Sequence, residues 1–111
     1  MTLFEKIIAR EIPASILYED SHCIAIEDIS PQAPTHILII PKKPIPMLKD
    51  LKDEDTELMG HLLVTANKVA HQLKLEDNYR IVINNGPDAC QSVYHIHIHL
   101  LAGRGMTWPP G

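Results

Sequence analysis

Residues 95–100 alternate strictly, as His-Ile-His-Ile-His-Leu. A β-strand turns successive side chains to opposite faces and advances about 3.3 Å per residue. The pattern therefore predicts a strand with three imidazoles in a row on one face, roughly 6.6 Å apart, and with Ile96, Ile98 and Leu100 directed into a core. Imidazole has an ordinary pKa of about 6.5, so this row suits proton transfer, nucleophilic attack or metal binding near neutral pH.

Patterning elsewhere in the chain predicts five strands and two main helices. The strands are expected at residues 15–19, 23–28, 35–41, 79–84 and 93–102. Thr2 and Glu5 predict a capping box for a short N-terminal helix, which Pro13 must end. Apolar spacing predicts a longer helix over residues 53–73. Its expected core stripe is Leu58, Leu62, Ala66, Val69 and Leu73. Helices gathered on one side of an antiparallel sheet define an α+β fold.

Length and composition limit the classes of protein to which this chain can belong. With 111 residues, 45% of them hydrophobic and 22% charged, it is expected to form one globular domain over residues 1–111. A net charge of -4 argues against a nucleic-acid polymer as partner. The apolar runs fall far short of the roughly 20 residues that span a bilayer, so no membrane role is expected. Two cysteines and the absence of a signal-peptide pattern indicate the reducing cytoplasm.

The histidine row admits three interpretations. Exposed or hydrogen-bonded histidines on a half-solvated sheet need no function, although three in register gather positive charge as the pH falls. A zinc site could use two of the three together with His36, but a straight strand keeps the outer two roughly 13 Å apart at the backbone. Nucleophilic catalysis needs one imidazole to attack while its neighbours move protons or stabilise charge.

The loop before the histidine row favours the catalytic interpretation. Residues 84–92 supply amide and hydroxyl donors and one glycine, a composition that can hold phosphate oxygens through backbone N–H groups and Ser92. The same composition also fits an ordinary polar hairpin loop. Cys90 adds a cysteine hydrolase as a further alternative, but nothing in the surrounding sequence marks it as a reactive thiolate. The residues alone leave these alternatives open.

Four segments together resemble the histidine-triad nucleotide-binding proteins, and the purine nucleoside phosphoramidase branch is the most similar. The segments are residues 28–36 (Asp-Ile-Ser-Pro-Gln-Ala-Pro-Thr-His), 40–43 (Ile-Pro-Lys-Lys), 91–99 (Gln-Ser-Val-Tyr-His-Ile-His-Ile-His) and 108–111 (Trp-Pro-Pro-Gly). The resemblance covers essentially the whole chain. It implies a five-stranded antiparallel sheet with two main helices, which a homodimer extends to ten strands.

The resemblance also implies an activity. Proteins of this branch hydrolyse adenosine or guanosine 5'-phosphoramidates, including aminoacyl and lysyl conjugates, to AMP or GMP and an amine, with no metal and no cofactor. The middle histidine of the motif, His97 here, matches the nucleophile, which forms a covalent nucleotidyl intermediate that water then hydrolyses. His36, His95 and His99 match its supporting histidines, and Ser92 matches a residue near the phosphate oxygens and the leaving amine.

The same resemblance implies a set of substrate-binding positions. Asp28 matches a carboxylate that binds the ribose hydroxyls, and Trp108 is implied to reach the partner's site in the dimer. The other positions form the apolar purine wall and the phosphate side, and they are Phe4, Ile7, Ile26, Ile29, Asn84, Gln91, Ser92 and Val93. Two departures bear on base preference and rate. Ala89 and Cys90 occupy a loop that is often Gly-rich, and Ile26 replaces an aromatic residue.

Overall fold

A five-stranded antiparallel sheet is the framework of the chain. The computed structural model describes residues 1–111. Its strands are β1 (Ile16–Glu19), β2 (Cys23–Glu27), β3 (Thr35–Pro41), β4 (Tyr79–Val82) and β5 (Ile98–Ala102). They are ordered β1-β2-β3-β5-β4, and every neighbouring pair is antiparallel. The helices are α1 (Leu3–Ile8) and α2 (Thr56–Gln72). The α+β fold predicted from the sequence is therefore confirmed, with one long helix and one short one.

Strand alternation divides the apolar residues between the two faces of the sheet. One face packs against α2, where the core consists of Cys23, Ala25, Ile37, Ile39, Ile98, Leu100 and Ala102 with Leu62, Ala66, Val69 and Ala70. On the opposite face, the buried cluster consists of Ile24, Ile26, Leu38 and Ile40 with Phe4 and Ile7 of α1. Because α1 has only six residues, it covers part of this face and leaves room for polar groups beside it.

The capping box at the start of α1 is confirmed. The Thr2 hydroxyl accepts a hydrogen bond from the Glu5 N–H at 3.2 Å, and the Glu5 carboxylate accepts one from the Thr2 N–H at 3.0 Å. The helix ends at Ile8, well before Pro13. Arg10 has a left-handed φ of 64°, which turns the chain out of the helix before the proline is reached.

The long helix begins later than its apolar spacing predicts. Residues 53–55 form a single 3-10 turn, in which the Asp55 carboxylate accepts from Lys43 Nζ at 2.6 Å and from the Lys52 N–H at 3.0 Å. The expected core position of Leu73 is wrong, because Leu73 follows the last residue of α2 and is 41% exposed. The buried residues of the helix are Leu62, Thr65, Ala66, Val69 and Ala70. No helix of the chain combines the length and hydropathy needed to cross a membrane.

The last strand, which the sequence predicts to begin at residue 93 and to carry all three histidines, also begins later than predicted. β5 starts at Ile98, so His95 and His97 lie in an irregular segment before it. There the Ile96 N–H donates to the Ile45 carbonyl at 2.6 Å, a partner outside the sheet. The prediction of three evenly spaced imidazoles on one strand is therefore wrong. The isoleucines between the histidines are buried, as the alternation predicts.

Leu62→Ala should destabilise the fold far more than Leu73→Ala. Leu62 is fully buried between α2 and the sheet, whereas Leu73 lies at the exposed end of the helix. We expect the first change to lower the free energy of unfolding by about 2–5 kcal/mol and the second by less than about 1 kcal/mol. Urea unfolding followed by circular dichroism measures both values. Equal losses would contradict the core register of α2.

Candidate active site

A cavity of about 240 Å³ opens on the α1 side of the sheet. Its walls come from α1, the end of β2 and the segment that leads into β5. Among its lining residues are nine that the sequence singles out, namely Phe4, Ile7, Ile26, Asp28, Ile29, Ser92, Val93, His97 and His99. Ile29 is 95% exposed at the rim, whereas Phe4, Ile7 and Ile26 are buried. The cavity combines apolar walls with a few polar groups, as small-molecule sites do.

His97 is held in one tautomer. Its Nδ1 lies 2.8 Å from the carbonyl oxygen of His95, and because a carbonyl only accepts, Nδ1 carries the proton. Nε2 is therefore the nitrogen with a free lone pair. The ring lies against the edge of Phe4, with centroids 4.8 Å apart. Burial lowers the pKa of His97 despite the hydrogen bond to the His95 carbonyl, which favours a neutral imidazole at pH 7.

His36 and His99 form a hydrogen-bonded pair, and their contacts fix which ring nitrogen of each carries the proton. Leu38 of β3 stands opposite His99 of β5, which places His36 on the same face, two residues along. The Gln32 N–H donates to His36 Nδ1 at 3.0 Å, so a neutral His36 carries its proton on Nε2 and donates it to His99 Nδ1 at 2.9 Å. His99 then carries its own proton on Nε2. This chain runs from a main-chain amide to the ring beside His97, with 4.9 Å between the centroids of His97 and His99.

The pKa of His99 is lowered to about 4. Burial is the largest cause, and the neighbouring imidazoles of His97 and His36 lower the pKa further. Asp28 acts in the opposite direction, but its effect is smaller. At pH 7 His99 is therefore a neutral hydrogen-bond donor rather than a cation.

Asp28 brings a carboxylate to this pair of rings. Its Oδ1 accepts from the Ser30 N–H at 2.8 Å, and its Oδ2 lies 3.5 Å from His36 Nε2. A carboxylate offers about four lone-pair positions, so these contacts leave acceptor capacity for a ligand. Asp28 also lines the cavity, close to the exposed Ile29.

The side chain of His95 is separated from the cavity. Its ring is 1% exposed, and its Nε2–H donates to the Pro41 carbonyl at 2.7 Å. His95 Nδ1 is buried without a hydrogen-bond partner. The ring packs near Phe4, with 6.2 Å between centroids. The group of His95 that reaches the site is its carbonyl, which fixes the tautomer of His97.

The loop before β5 brings Ser92 to the cavity and uses Gln91 to hold its own shape. The buried Gln91 side chain accepts from the Gly86 N–H at 2.9 Å and donates to the Pro46 and Val93 carbonyls at 2.9 and 3.0 Å. Gly86 has a φ of 91°, which glycine adopts without steric cost. The Gln91 amide is therefore occupied by the main chain and supports the position of the loop.

Asn84 and Trp108 do not line the cavity. Asn84 is half-buried just after β4. Trp108 is 82% exposed in the C-terminal tail, which Arg80 of β4 holds by donating to the Thr107 carbonyl at 3.0 Å. A larger depression of about 720 Å³ lies near this tail, but its lining contains no histidine or cysteine. Of these two, the smaller cavity is therefore the one with imidazoles in its lining, those of His97 and His99.

Sequence reasoning missed two groups that position protons in this region. The Gln32 N–H sets the proton on His36, and the Pro41 carbonyl accepts from His95. Both act through the main chain, so their residue types carry no signal of the role. Their places within the segments 28–36 and 40–43 are the one sequence feature that could have drawn attention to them.

Residues 9–106 match the family described as HIT domain. A HIT family hydrolase from Legionella pneumophila Philadelphia 1 has a TM-score of 0.97 at 51% identity, with 100% of each chain covered. A histidine triad nucleotide-binding protein from Candida albicans has a TM-score of 0.83 at 34% identity, over 98% of this chain and 83% of that one. A 14 kDa zinc-binding protein from Zea mays is 56% identical over 112 residues, which cover 99% of this chain and 88% of the relative.

The family match spans most of the chain, and the similar structures share its whole sheet and helices. The sequence identities of 51% and 56% show that these proteins are related in sequence as well as in fold. This chain therefore belongs to the HIT domain family.

Proposed function

We propose that this chain is a hydrolase that cleaves the P–N bond of purine nucleoside 5'-phosphoramidates through a covalent nucleotidyl-His97 intermediate. The observation that carries the proposal is the neutral His97, with its proton held on Nδ1 and its ring in the wall of the cavity. HIT family membership and the hydrolase from Legionella support the general class. The name of the Candida protein supports a nucleotide ligand. The purine and the P–N bond are supported by the resemblance of residues 91–99 and 108–111.

The first step is attack by His97 Nε2 on the α-phosphorus. A bond between Nε2 and phosphorus forms while the bond between phosphorus and the amine breaks, and the amine leaves with one proton that solvent supplies. The attacking imidazole becomes positively charged. Its Nδ1–H remains bonded to the His95 carbonyl at 2.8 Å, which stabilises that charge because hydrogen bonds from a cation are stronger.

Water completes the reaction. It attacks the phosphorus of nucleotidyl-His97, the bond to Nε2 breaks, and the nucleoside monophosphate leaves. The attacking water loses a proton, which balances the proton that the amine took in the first step. His97 returns to its neutral form with Nδ1–H still bonded to the main chain.

The remaining groups bind and orient the substrate in this proposal. His99 Nε2–H and Ser92 donate to the phosphate oxygens or the leaving amine, and His36 keeps the proton of His99 on Nε2. Asp28 accepts from the ribose hydroxyls. The purine lies against the apolar wall of Phe4, Ile7, Ile26, Ile29 and Val93. Gln91 and His95 act as positioning residues, because their side chains bond to main-chain carbonyls.

Zinc in this cavity is the alternative that the name of the maize relative raises. Asp28, His36 and His99 place possible ligand atoms within 4.8 Å of one another. His36 does not fit a zinc ion, because its Nδ1 accepts from the Gln32 N–H and its Nε2 then carries the proton instead of a free lone pair. Ligation would break this bond and the bond to His99. We therefore assign no zinc to the cavity.

We further propose a cytoplasmic homodimer in which β4 pairs with β4 of a second copy. β4 pairs with β5 on one side, so its other edge is free to extend the sheet to ten strands. Arg80 ties the tail to β4, so this pairing would carry Trp108 toward the partner. Both cysteines are unpaired, which is compatible with a reducing compartment.

Replacement of the nucleophile tests the covalent step. His97→Asn keeps an N–H donor but removes the attacking nitrogen, so we expect kcat to fall about 10⁴-fold or more. The measurement is AMP release from adenosine 5'-phosphoramidate, with alkaline quenching and mass spectrometry to detect the adduct. His71→Asn, on the exposed end of α2, is the matched control. Full turnover by His97→Asn would overturn the mechanism, and tight nucleotide binding without turnover in the unmodified chain would indicate a binding protein.

The pH profile of kcat/KM should show the lowered pKa values. Burial favours the neutral forms of His97 and His99, so activity should persist as the pH falls to 6.5 and decline below it. The free energy of unfolding should also decrease as the pH is lowered from 6.5. In the unfolded chain these two histidines have ordinary pKa values, so they take up protons at a higher pH than they do in the folded chain. A titration of the free substrate followed by phosphorus NMR gives the pKa of the substrate, which can then be distinguished from the pKa values of the histidines. An acid limb centred above pH 6.5 would contradict this assignment.

Light scattering at micromolar concentration tests the dimer, and we expect twice the mass of the chain. Trp108→Ala should leave that mass unchanged and lower kcat/KM about tenfold, because the exposed ring would contact substrate in the partner's cavity. His71→Asn again serves as the control. A monomeric mass, or unchanged kcat/KM in Trp108→Ala, would contradict this arrangement.

A further inference from the structure

A second group of ligand-type side chains lies away from the cavity. Asp20 in the β1–β2 turn, Cys23 at the start of β2 and His61 on α2 place an oxygen, a sulfur and a nitrogen within 4.8 Å of one another. His61 Nε2 lies 2.6 Å from Asp20 Oδ2, and the Tyr18 hydroxyl donates to the same oxygen at 2.8 Å. The proposed hydrolysis uses none of these groups.

This cluster and the cavity occupy opposite faces of the sheet. Cys23 belongs to the core beneath α2, whereas the neighbouring Ile24 belongs to the α1 side, with Leu38. Asp28, at the cavity, also lies five residues further along the chain than Cys23, a distance of about 16 Å along an extended strand. A ligand at the cluster would therefore leave the cavity open.

The β1–β2 turn prepares Asp20 as a ligand. Asp20 Oδ1 accepts from the N–H groups of His22 and Cys23 at 2.7 and 2.9 Å, which leaves Oδ2 on the side of His61. Burial works to raise the pKa of Asp20, but these hydrogen bonds and that of Tyr18 outweigh it and hold the pKa well below its usual range. Asp20 is therefore an ionised carboxylate at neutral pH.

His61 differs from His36 in the freedom of its proton. In the pair with Asp20, His61 Nε2 carries the proton, and no protein group bonds to its Nδ1. The side chain is 32% exposed, so the proton can move to Nδ1 and be donated to water. Nε2 then has a lone pair for a metal. His36 lacks this freedom because the Gln32 N–H occupies its Nδ1.

We propose that Asp20, Cys23 and His61 bind a zinc ion, with His22 as the fourth ligand. The centroids of the His22 and His61 rings are 5.2 Å apart, and His22 would join the other three ligands by rotating its exposed side chain toward the ion. Tetrahedral zinc has bonds of about 2.0–2.3 Å, which places its donor atoms roughly 3.3–3.7 Å apart. His61 Nε2 and Asp20 Oδ2, now 2.6 Å apart, would separate slightly, and the more distant donor atoms would move closer. Sulfur and imidazole together select zinc over magnesium or calcium.

Zinc binding would change the protons at two ligands. Burial raises the pKa of the Cys23 thiol to about 11, so the ion replaces a thiol proton that goes to solvent. The proton of His61 moves from Nε2 to Nδ1. The Tyr18 hydroxyl stays bonded to Asp20 and orients it from outside the metal shell. The bound ion would join the β1–β2 turn to α2.

Metal titration of the full chain, treated with EDTA and then dialysed, tests the proposal. We expect calorimetry with ZnCl2 to give one ion per chain and MgCl2 to give no binding. CoCl2 should give the charge-transfer absorption of a thiolate ligand. Cys23→Ser and His61→Asn should each weaken zinc binding at least about tenfold, and Cys23→Ser should abolish the cobalt band.

Three matched variants report on the other candidate ligands. Cys90→Ser changes the exposed cysteine, His71→Asn changes an exposed histidine of α2, and His99→Asn changes the cavity. All three should keep the zinc stoichiometry and the cobalt band. Circular dichroism checks that each variant is folded. If Cys23→Ser unfolds, His61→Asn still tests the site, because the His61 side chain is partly exposed. Unweakened zinc binding by His61→Asn, loss confined to His99→Asn, or no zinc uptake by the unmodified chain would each overturn the proposal.

Discussion

The antiparallel register between β3 and β5 is the constraint on which the rest of the structure depends. Leu38 stands opposite His99, and this pairing brings His36 within hydrogen-bond distance of His99 on the cavity side. The same register turns Leu100 toward α2. A shift of one residue would reverse every side chain of β5, burying His99 under the helix and exposing Leu100. The apolar core beneath α2 therefore fixes the geometry of the imidazole pair on the other face.

Local patterns predicted the parts of the structure that depend on chain periodicity. Alternation located Ile98 and Leu100 in the core, and the capping box located the start of α1. Alternation failed at His95 because the neighbouring Ile96 N–H bonds to a carbonyl distant in sequence, which no local pattern encodes. The spacing of apolar residues likewise predicted that the buried stripe of the long helix reaches Leu73, although its last buried residue is Ala70. Nine of the fifteen residues that line the cavity could be named from resemblance, but the proton positions on the histidine rings depend on main-chain contacts that no resemblance specifies.

The two histidine clusters differ in what controls the proton on each ring. At the cavity, main-chain groups hold the protons of His36 and His97, so each ring is committed to one nitrogen as donor and one as acceptor. Such commitment suits a nucleophile, which must present the same lone pair in every cycle. At the other cluster, His61 Nε2 donates to the Asp20 carboxylate, but no protein group bonds to Nδ1 of this partly exposed ring, so the proton has a second place when a metal takes Nε2. That freedom suits an exchangeable ligand.

Cys90 ends the short turn before β5 with a left-handed φ of 70°. A residue with a Cβ is strained in this conformation by roughly 1 kcal/mol. The Cβ atoms of Ala89 and Cys90 also restrict the backbone. When no ligand orders this loop, it therefore has fewer conformations than a loop with glycines at these positions. A loop with fewer alternatives loses less conformational entropy when a ligand orders it. The strain at Cys90 is thus accompanied by a smaller entropic cost of ordering the loop when a ligand binds, such as the phosphate of the proposed substrate.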